Sequence, residues 1–169
     1  MGYDFNADEI FEMAGQIERN GALFYRKSAE LIADPAAKKL LLDLAAMEDE
    51  HEKTFADLRA SLSEKEKVTT VFDPECETTL YLRALADIRV FFEKNINPSS
   101  IEDILKEAIL AEKDSIVFYL GMKEMIPENL GKAKIDAIIK EEMTHIKLLS
   151  KELVALNWLI TNGTDKRIR

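Results

Sequence analysis

The sequence predicts an all-α protein, a four-helix bundle whose second and third helices are joined by a long crossover containing a short helix. Three observations predict it. Small and apolar residues recur at spacings of three and four through most of the chain. Only 6 Gly and 4 Pro interrupt 169 residues that are 47% hydrophobic and 33% charged, a composition unlike disordered, collagenous or turn-rich β proteins. The few breakers fall where four long helices would need their ends. At 19.2 kDa the chain suits a single domain, residues 1–169, long enough to bury a core without staples.

The first helix is expected over Ala7 to Ala33. Asn6 and Glu9 form a capping box, and Ile10, Ala14, Ile17, Gly21, Phe24, Tyr25, Ser28 and Leu31 lie on one face. Asp34-Pro35 supplies an N-cap and a first-turn proline for a second helix reaching about Ser61. Ser99 with Glu102 reads as another capping box, opening a third helix that ends near Met125. Pro127-Glu128-Asn129 breaks the chain before a fourth helix, Leu130 to Leu159. The two hairpins thus occupy about 7–61 and 99–159.

Residues 62–98 differ. Ser63 to Lys67 is a charged run, and Pro74 and Pro98 punctuate the remainder. Leu80, Ala84, Leu85, Ile88 and Phe92 have the spacing of a short amphipathic helix. Adjacent antiparallel helices need only about 2–8 linking residues. A link this long is expected to return along the bundle, which is the ferritin-like arrangement.

The balance of 23 basic against 32 acidic side chains gives a net charge of −9, the wrong sign for nucleic acid or anionic lipid. The single cysteine, Cys76, cannot make an internal disulfide, a CxxC pair or a four-cysteine metal site. No apolar run approaches a membrane span, and the acidic start MGYDFNADEIFE is unlike a signal peptide. A soluble protein of a reducing, cytoplasmic compartment is expected.

The chain is also internally repeated. An offset of 94 residues carries Glu18 onto Glu112, Phe24 onto Phe118, Tyr25 onto Tyr119, Glu48 onto Glu142 and His51 onto His145. Glu18 and Glu48 lie 15 residues either side of position 33, and Glu112 and Glu142 lie 15 either side of Pro127. At 1.5 Å per residue, each carboxylate therefore sits about 22 Å from its own turn. Each of the chain's two histidines follows a Glu by three and shares its helix face. Packing the hairpins together gathers four Glu and two His at one level.

Such a set needs a reason, because an unpaired buried carboxylate costs several kcal/mol. Two divalent cations would cancel four carboxylates, with two neutral imidazoles completing the ligands. A Glu from each of two helices and a Glu-x-x-His from each of the others is the di-iron or di-manganese carboxylate constellation. Oxygen and imidazole donors suit iron or manganese, with zinc as a further occupant, and two bridged ions would stand roughly 3.5–4 Å apart. Glu18, Glu48, His51, Glu112, Glu142 and His145 are the expected ligands. Salt bridges of Glu18 to Arg19 and of Glu112 to Lys113 are the plainer alternative. Tyr25 and Tyr119 are expected in the core, with hydroxyls that could reach a ligand carboxylate on a neighbouring helix as hydrogen-bond donors or one-electron sources. The methionines, Phe91, Phe92 and Trp158 read as packing, Cys76 as inert, and the tail Lys166-Arg167-Ile168-Arg169 as frayed.

The strings IERNGALFY, AAMEDEHEKTF, AEKDSIVFY and KEEMTHIKLL resemble the four ligand helices of the rubrerythrin family, within the ferritin-like superfamily. The resemblance covers about residues 8–160. It implies a di-iron four-helix domain, usually dimeric, that reduces hydrogen peroxide or dioxygen. It also implies that the six residues above are metal ligands, with Glu48 and Glu142 bridging. Two departures stand out. The family's rubredoxin-like four-cysteine domain is missing, so electrons are expected from a separate donor protein. The family's extra glutamate, one turn after the third-helix ligand, is replaced by Ser115, whose repeat partner is Gly21. Small residues there are expected to leave an open pocket beside the metals.

Three functions follow as expectations. The first is an oxidoreductase, a homodimeric peroxidase or oxidase of small substrates. The second is ferrous oxidation with iron storage in a larger shell, and the third is a helical metal-binding module without catalysis.

Overall fold

The computed structural model describes residues 6–67 and 100–164. They form four long α-helices, with no strand among the described residues: α1 (Ala7–Leu31), α2 (Pro35–Ala60), α3 (Ile101–Met125) and α4 (Lys132–Thr164). The crossover expected at 62–98 falls almost wholly outside the described residues, as do Cys76, Phe91, Phe92 and the tail. Its described beginning, the charged run after α2, is a turn in which the Glu66 carboxylate accepts from the backbone and hydroxyl of Ser63.

Local chemistry accounts for the helix ends. Asn6 and Glu9 make the reciprocal capping box. Asp34 accepts from the Ala37 N–H at 2.8 Å, with Pro35 in the first turn of α2. α1 stops at Leu31 rather than Ala33, because Ile32 turns extended and buries its side chain in the core. The cap of α3 falls on Ser100, whose hydroxyl takes the Asp103 N–H, and not on Ser99. α4 begins at Lys132, later than Leu130. Glu128–Leu130 form one 3-10 turn, and Gly131 then adopts a left-handed φ of 99° that an α-helix cannot continue through. A β-carbon on Gly131 would also come within 2.5 Å of Leu58 Cδ2, so this turn needs glycine twice over. At its other end α4 runs past Leu159 to Thr164.

α1 packs along α2 and α3 along α4, while α1 meets α3 and α2 meets α4 across the bundle. The hairpins run head to tail, as the core composition shows. One apolar cluster joins Ile10, Phe11 and Leu58 from the open end of the first hairpin to Met125, Ile126 and Ile135 around the turn of the second. The other joins Ile32, Ala37 and Leu41 at the first turn to Ile104, Leu105 and Leu149 at the open end of the second. Two apolar plugs therefore close the bundle above and below a middle layer. Burial of such side chains, about 1.5–3 kcal/mol each, is what holds that layer away from water.

Not every expected packing residue is inside. Met122 and Met125 are buried, but Met47 and Met143 are exposed, and Trp158 is 64% exposed. Leu149 is the last buried residue of α4 among those described, and it packs with Ile104 and Leu105 near the start of α3. Trp158 lies more than two turns beyond that contact.

Candidate metal centre

The middle layer between the plugs is polar. Glu18 lies on α1, Glu48 and His51 on α2, Glu112 on α3, Glu142 and His145 on α4, and none is more than 3% exposed. The structure brings all six together. Glu18, Glu48, His51 and Glu142 offer ligand atoms within 4.8 Å of one another, and so do Glu48, Glu112, Glu142 and His145. Glu48 and Glu142 belong to both groups, the placement required of residues shared between two cations.

The imidazoles face inward through the same atom. His51 Nδ1 stands 2.9 Å from Glu142, 3.2 Å from Glu48 and 3.5 Å from Glu18. His145 Nδ1 stands 3.0 Å from Glu142, 3.3 Å from Glu48 and 3.4 Å from Glu112. The two rings stack with centroids 5.6 Å apart. The tyrosines close the layer crosswise: the Tyr25 hydroxyl of α1 donates to Glu112 of α3, and the Tyr119 hydroxyl of α3 donates to Glu18 of α1. The Glu18–Arg19 salt bridge is not formed, since Arg19 reaches over the surface to Glu12 and Glu52 at 2.8 and 2.9 Å.

The electrostatics follow from crowding. Burial, then the charges of Glu142 and Glu48, push the Glu18 carboxyl well above the usual range. Burial, then Glu142, does the same to Glu112. Burial also opposes ionisation of Glu48 and Glu142, yet close polar contacts outweigh it and hold both low, from the two histidines on Glu48 and from Glu112 and then the histidines on Glu142. Burial pulls the imidazoles down, but the surrounding carboxylates overcome it, driving His51 far up and His145 to about 12. Both tyrosine hydroxyls, raised by burial and by the nearby carboxylates, stay protonated and donate. Free of cations, the layer therefore favours protons on Glu18, Glu112 and the two imidazoles over four bare carboxylates.

The donor set fits a pair of cations better than it fits protons. Glu48 Oε1, Glu112 Oε2 and both oxygens of Glu142 are buried without a hydrogen-bond partner, and such orphan acceptors are costly in a protein interior. Two divalent ions would engage them and cancel the four negative charges.

Two further residues belong to the description. Ser115, one turn beyond Glu112 on α3, is buried, and its hydroxyl has no partner. Glu141, which the sequence reading passed over, places Oε2 2.9 Å from His51 Nε2. The adjacent pair Glu141-Glu142 is a signal only when α2 is known to lie opposite α4.

Comparison with known proteins bears on the fold and the family. The family model described as Rubrerythrin matches residues 9–102, a span that includes Glu18, Glu48 and His51 and stops short of Glu112, Glu142 and His145. Among solved structures, a protein from Thermotoga maritima provisionally described as a ferritin-like diiron-carboxylate protein matches with a TM-score of 0.66 at 24% identity, over 90% of this chain and 97% of its own. That likeness establishes the ferritin-like fold. No curated protein matches the chain.

Proposed function

Since the chain belongs to the rubrerythrin family, we propose that it is a di-iron redox protein that reduces hydrogen peroxide or dioxygen with electrons from a separate donor protein. The observation that carries the reading is the buried layer in which two four-residue ligand groups share Glu48 and Glu142. On this reading Glu18 and His51 hold one iron, Glu112 and His145 hold the other, and Glu48 and Glu142 bridge. Two ferrous ions bound there would supply the two electrons that reduce hydrogen peroxide, which takes up two protons and leaves as two waters.

The chain's own residues have definable tasks. The apolar plugs exclude bulk water from the layer. Tyr25 and Tyr119 each hold one oxygen of Glu112 and Glu18, which fixes the carboxylates for ligation. On the same reading a diatomic or peroxide substrate approaches beside Glu112, where the side chain of Ser115 is small and its hydroxyl unpartnered. A homodimer is part of the same reading.

The test is anaerobic reconstitution with Fe²⁺, followed by rapid mixing with hydrogen peroxide and with O₂ in parallel. Ferric-oxo absorption should grow in at least one arm, with two irons bound per chain. A protein that holds fewer than two, or whose loaded centre is inert to both oxidants, would overturn the reading. Sizing of the loaded protein separates a dimer from a storage shell.

A further inference from the structure

The internal repeat is broken at one contact that matters to the layer. His51 of α2 uses both nitrogens: Nδ1 faces the carboxylates, and Nε2 meets Glu141 of α4 at 2.9 Å. His145 of α4 also turns Nδ1 toward the carboxylates, 3.0 Å from Glu142, but neither of its buried nitrogens has a hydrogen-bond partner among the described residues, and nothing there stands behind Nε2 as Glu141 does behind that of His51. The same 94-residue offset that pairs the histidines pairs Glu141 with Met47, a thioether side chain that accepts hydrogen bonds only weakly. Among the described residues, one half of the centre therefore has an outer carboxylate behind its imidazole and the other half has none.

An imidazole can ligate a cation through Nδ1 only if its remaining proton sits on Nε2. A carboxylate accepting from Nε2–H holds that tautomer, fixes the ring plane and raises the basicity of the ligating nitrogen. We propose that Glu141 is a positioning residue that makes the two cation sites unequal, so that the Glu18–His51 position fills first and the Glu112–His145 position second. The inference rests on the di-metal reading. Glu141 is more than half exposed, so it can be replaced without opening the core.

The probe is Co²⁺ alone, titrated into the full chain and followed by visible absorption and calorimetry. The wild-type protein should take up two ions in two resolved steps. Glu141→Ala should weaken the tighter step by about 10- to 100-fold and leave the weaker step and the capacity unchanged. Glu141→Gln removes the charge but keeps an acceptor at the same reach, and should preserve most of the difference. Met47→Glu, which restores the repeat, should tighten the weaker step and draw the two together. Unfolding curves of the metal-free variants should remain single cooperative transitions, which verifies that each variant folds. Two bound ions with Glu141→Ala indistinguishable from wild type would overturn the inference while leaving the di-metal reading intact. So would equal weakening of both steps, or Glu141→Gln behaving like Glu141→Ala, which would reduce Glu141 to a nearby charge. Failure of the wild-type chain to bind two ions would overturn both readings together.

Discussion

Tyr119 on α3 donates its hydroxyl hydrogen to Glu18 on α1, so a residue of the second hairpin fixes a carboxylate of the first. Its repeat counterpart, Tyr25, returns the contact to Glu112. The strength of each bond depends on the charge of its acceptor. In the cation-free layer burial and the neighbouring carboxylates favour the protonated form of Glu18, and a neutral hydrogen bond contributes about 0.5–1.5 kcal/mol. With cations bound Glu18 is a carboxylate, and the same bond contributes about 1.5–3 kcal/mol. Tyr119→Phe should therefore destabilise the loaded protein more than the free protein. The gap, about 1.4 kcal/mol, corresponds to roughly tenfold weaker cation binding. Urea unfolding with and without Co²⁺ measures both terms.

The cation-free protein should lose stability as pH rises through the neutral range. His51 and His145 are raised, so their contribution is complete below the unfolded value near 6.5. Above it the unfolded chain releases protons that the folded chain retains. Glu18 and Glu112 are raised as well, which favours the folded state less and less above the unfolded value near 4.3. Glu48 and Glu142 are lowered, and between pH 6 and 8 they are ionised in both states and add no slope. All the slopes in that window carry the same sign. Thermal unfolding of chelated protein should give a midpoint that falls between about pH 5 and pH 8, and a midpoint rising across that window would contradict the charge assignment.

Loading should be coupled to proton release. At neutral pH the free layer carries a proton on Glu18, on Glu112 and one extra on each imidazole, and ligation requires all of them to leave. Uptake of two divalent cations should release about four protons, and affinity should rise steeply with pH. Calorimetry in buffers of different ionisation enthalpy counts the protons directly. A release of one or none would mean that the carboxyls or the histidines are not the ligands.

The sequence made the four helices and the six-residue layer legible for one physical reason: both are periodic. Helical spacing identified the faces, and the doubled Glu and Glu-x-x-His pattern at equal distances from two turns placed Glu18, Glu48, Glu112 and Glu142 at one height. What it did not reveal depends on neighbours remote in the chain. Nothing near Glu141 signals that His51 Nε2 will meet it, because that contact exists only once α2 and α4 face each other. Trp158 reads as packing by its chemistry, yet the indole is largely exposed. The helix starts at Ile101 and Lys132 fall one and two residues later than the sequence pattern suggests. Adjacent serines compete for one cap in the first case, and in the second the left-handed Gly131 was hidden inside what looked like a continuous helix.

Ser115 tests whether space beside the ligands serves substrate entry. It is buried, its hydroxyl is unpartnered, and it lies one helical turn from Glu112 on the inward face of α3. Ser115→Leu fills that space with branched hydrocarbon at an overpacking cost of about 1–3 kcal/mol, while leaving every proposed ligand in place. Ferrous protein carrying this change should still bind two ions, yet react with peroxide and with O₂ roughly tenfold more slowly or worse, because a small displacement of a reactant costs orders of magnitude in rate. Ser115→Ala keeps the space and removes only the hydroxyl. If the alanine variant reacts like wild type, room is what the site requires; if it slows as much as leucine, the hydroxyl itself engages the substrate. Unchanged stopped-flow kinetics in the leucine variant, with two ions verified, would show that oxidant reaches the centre by another route.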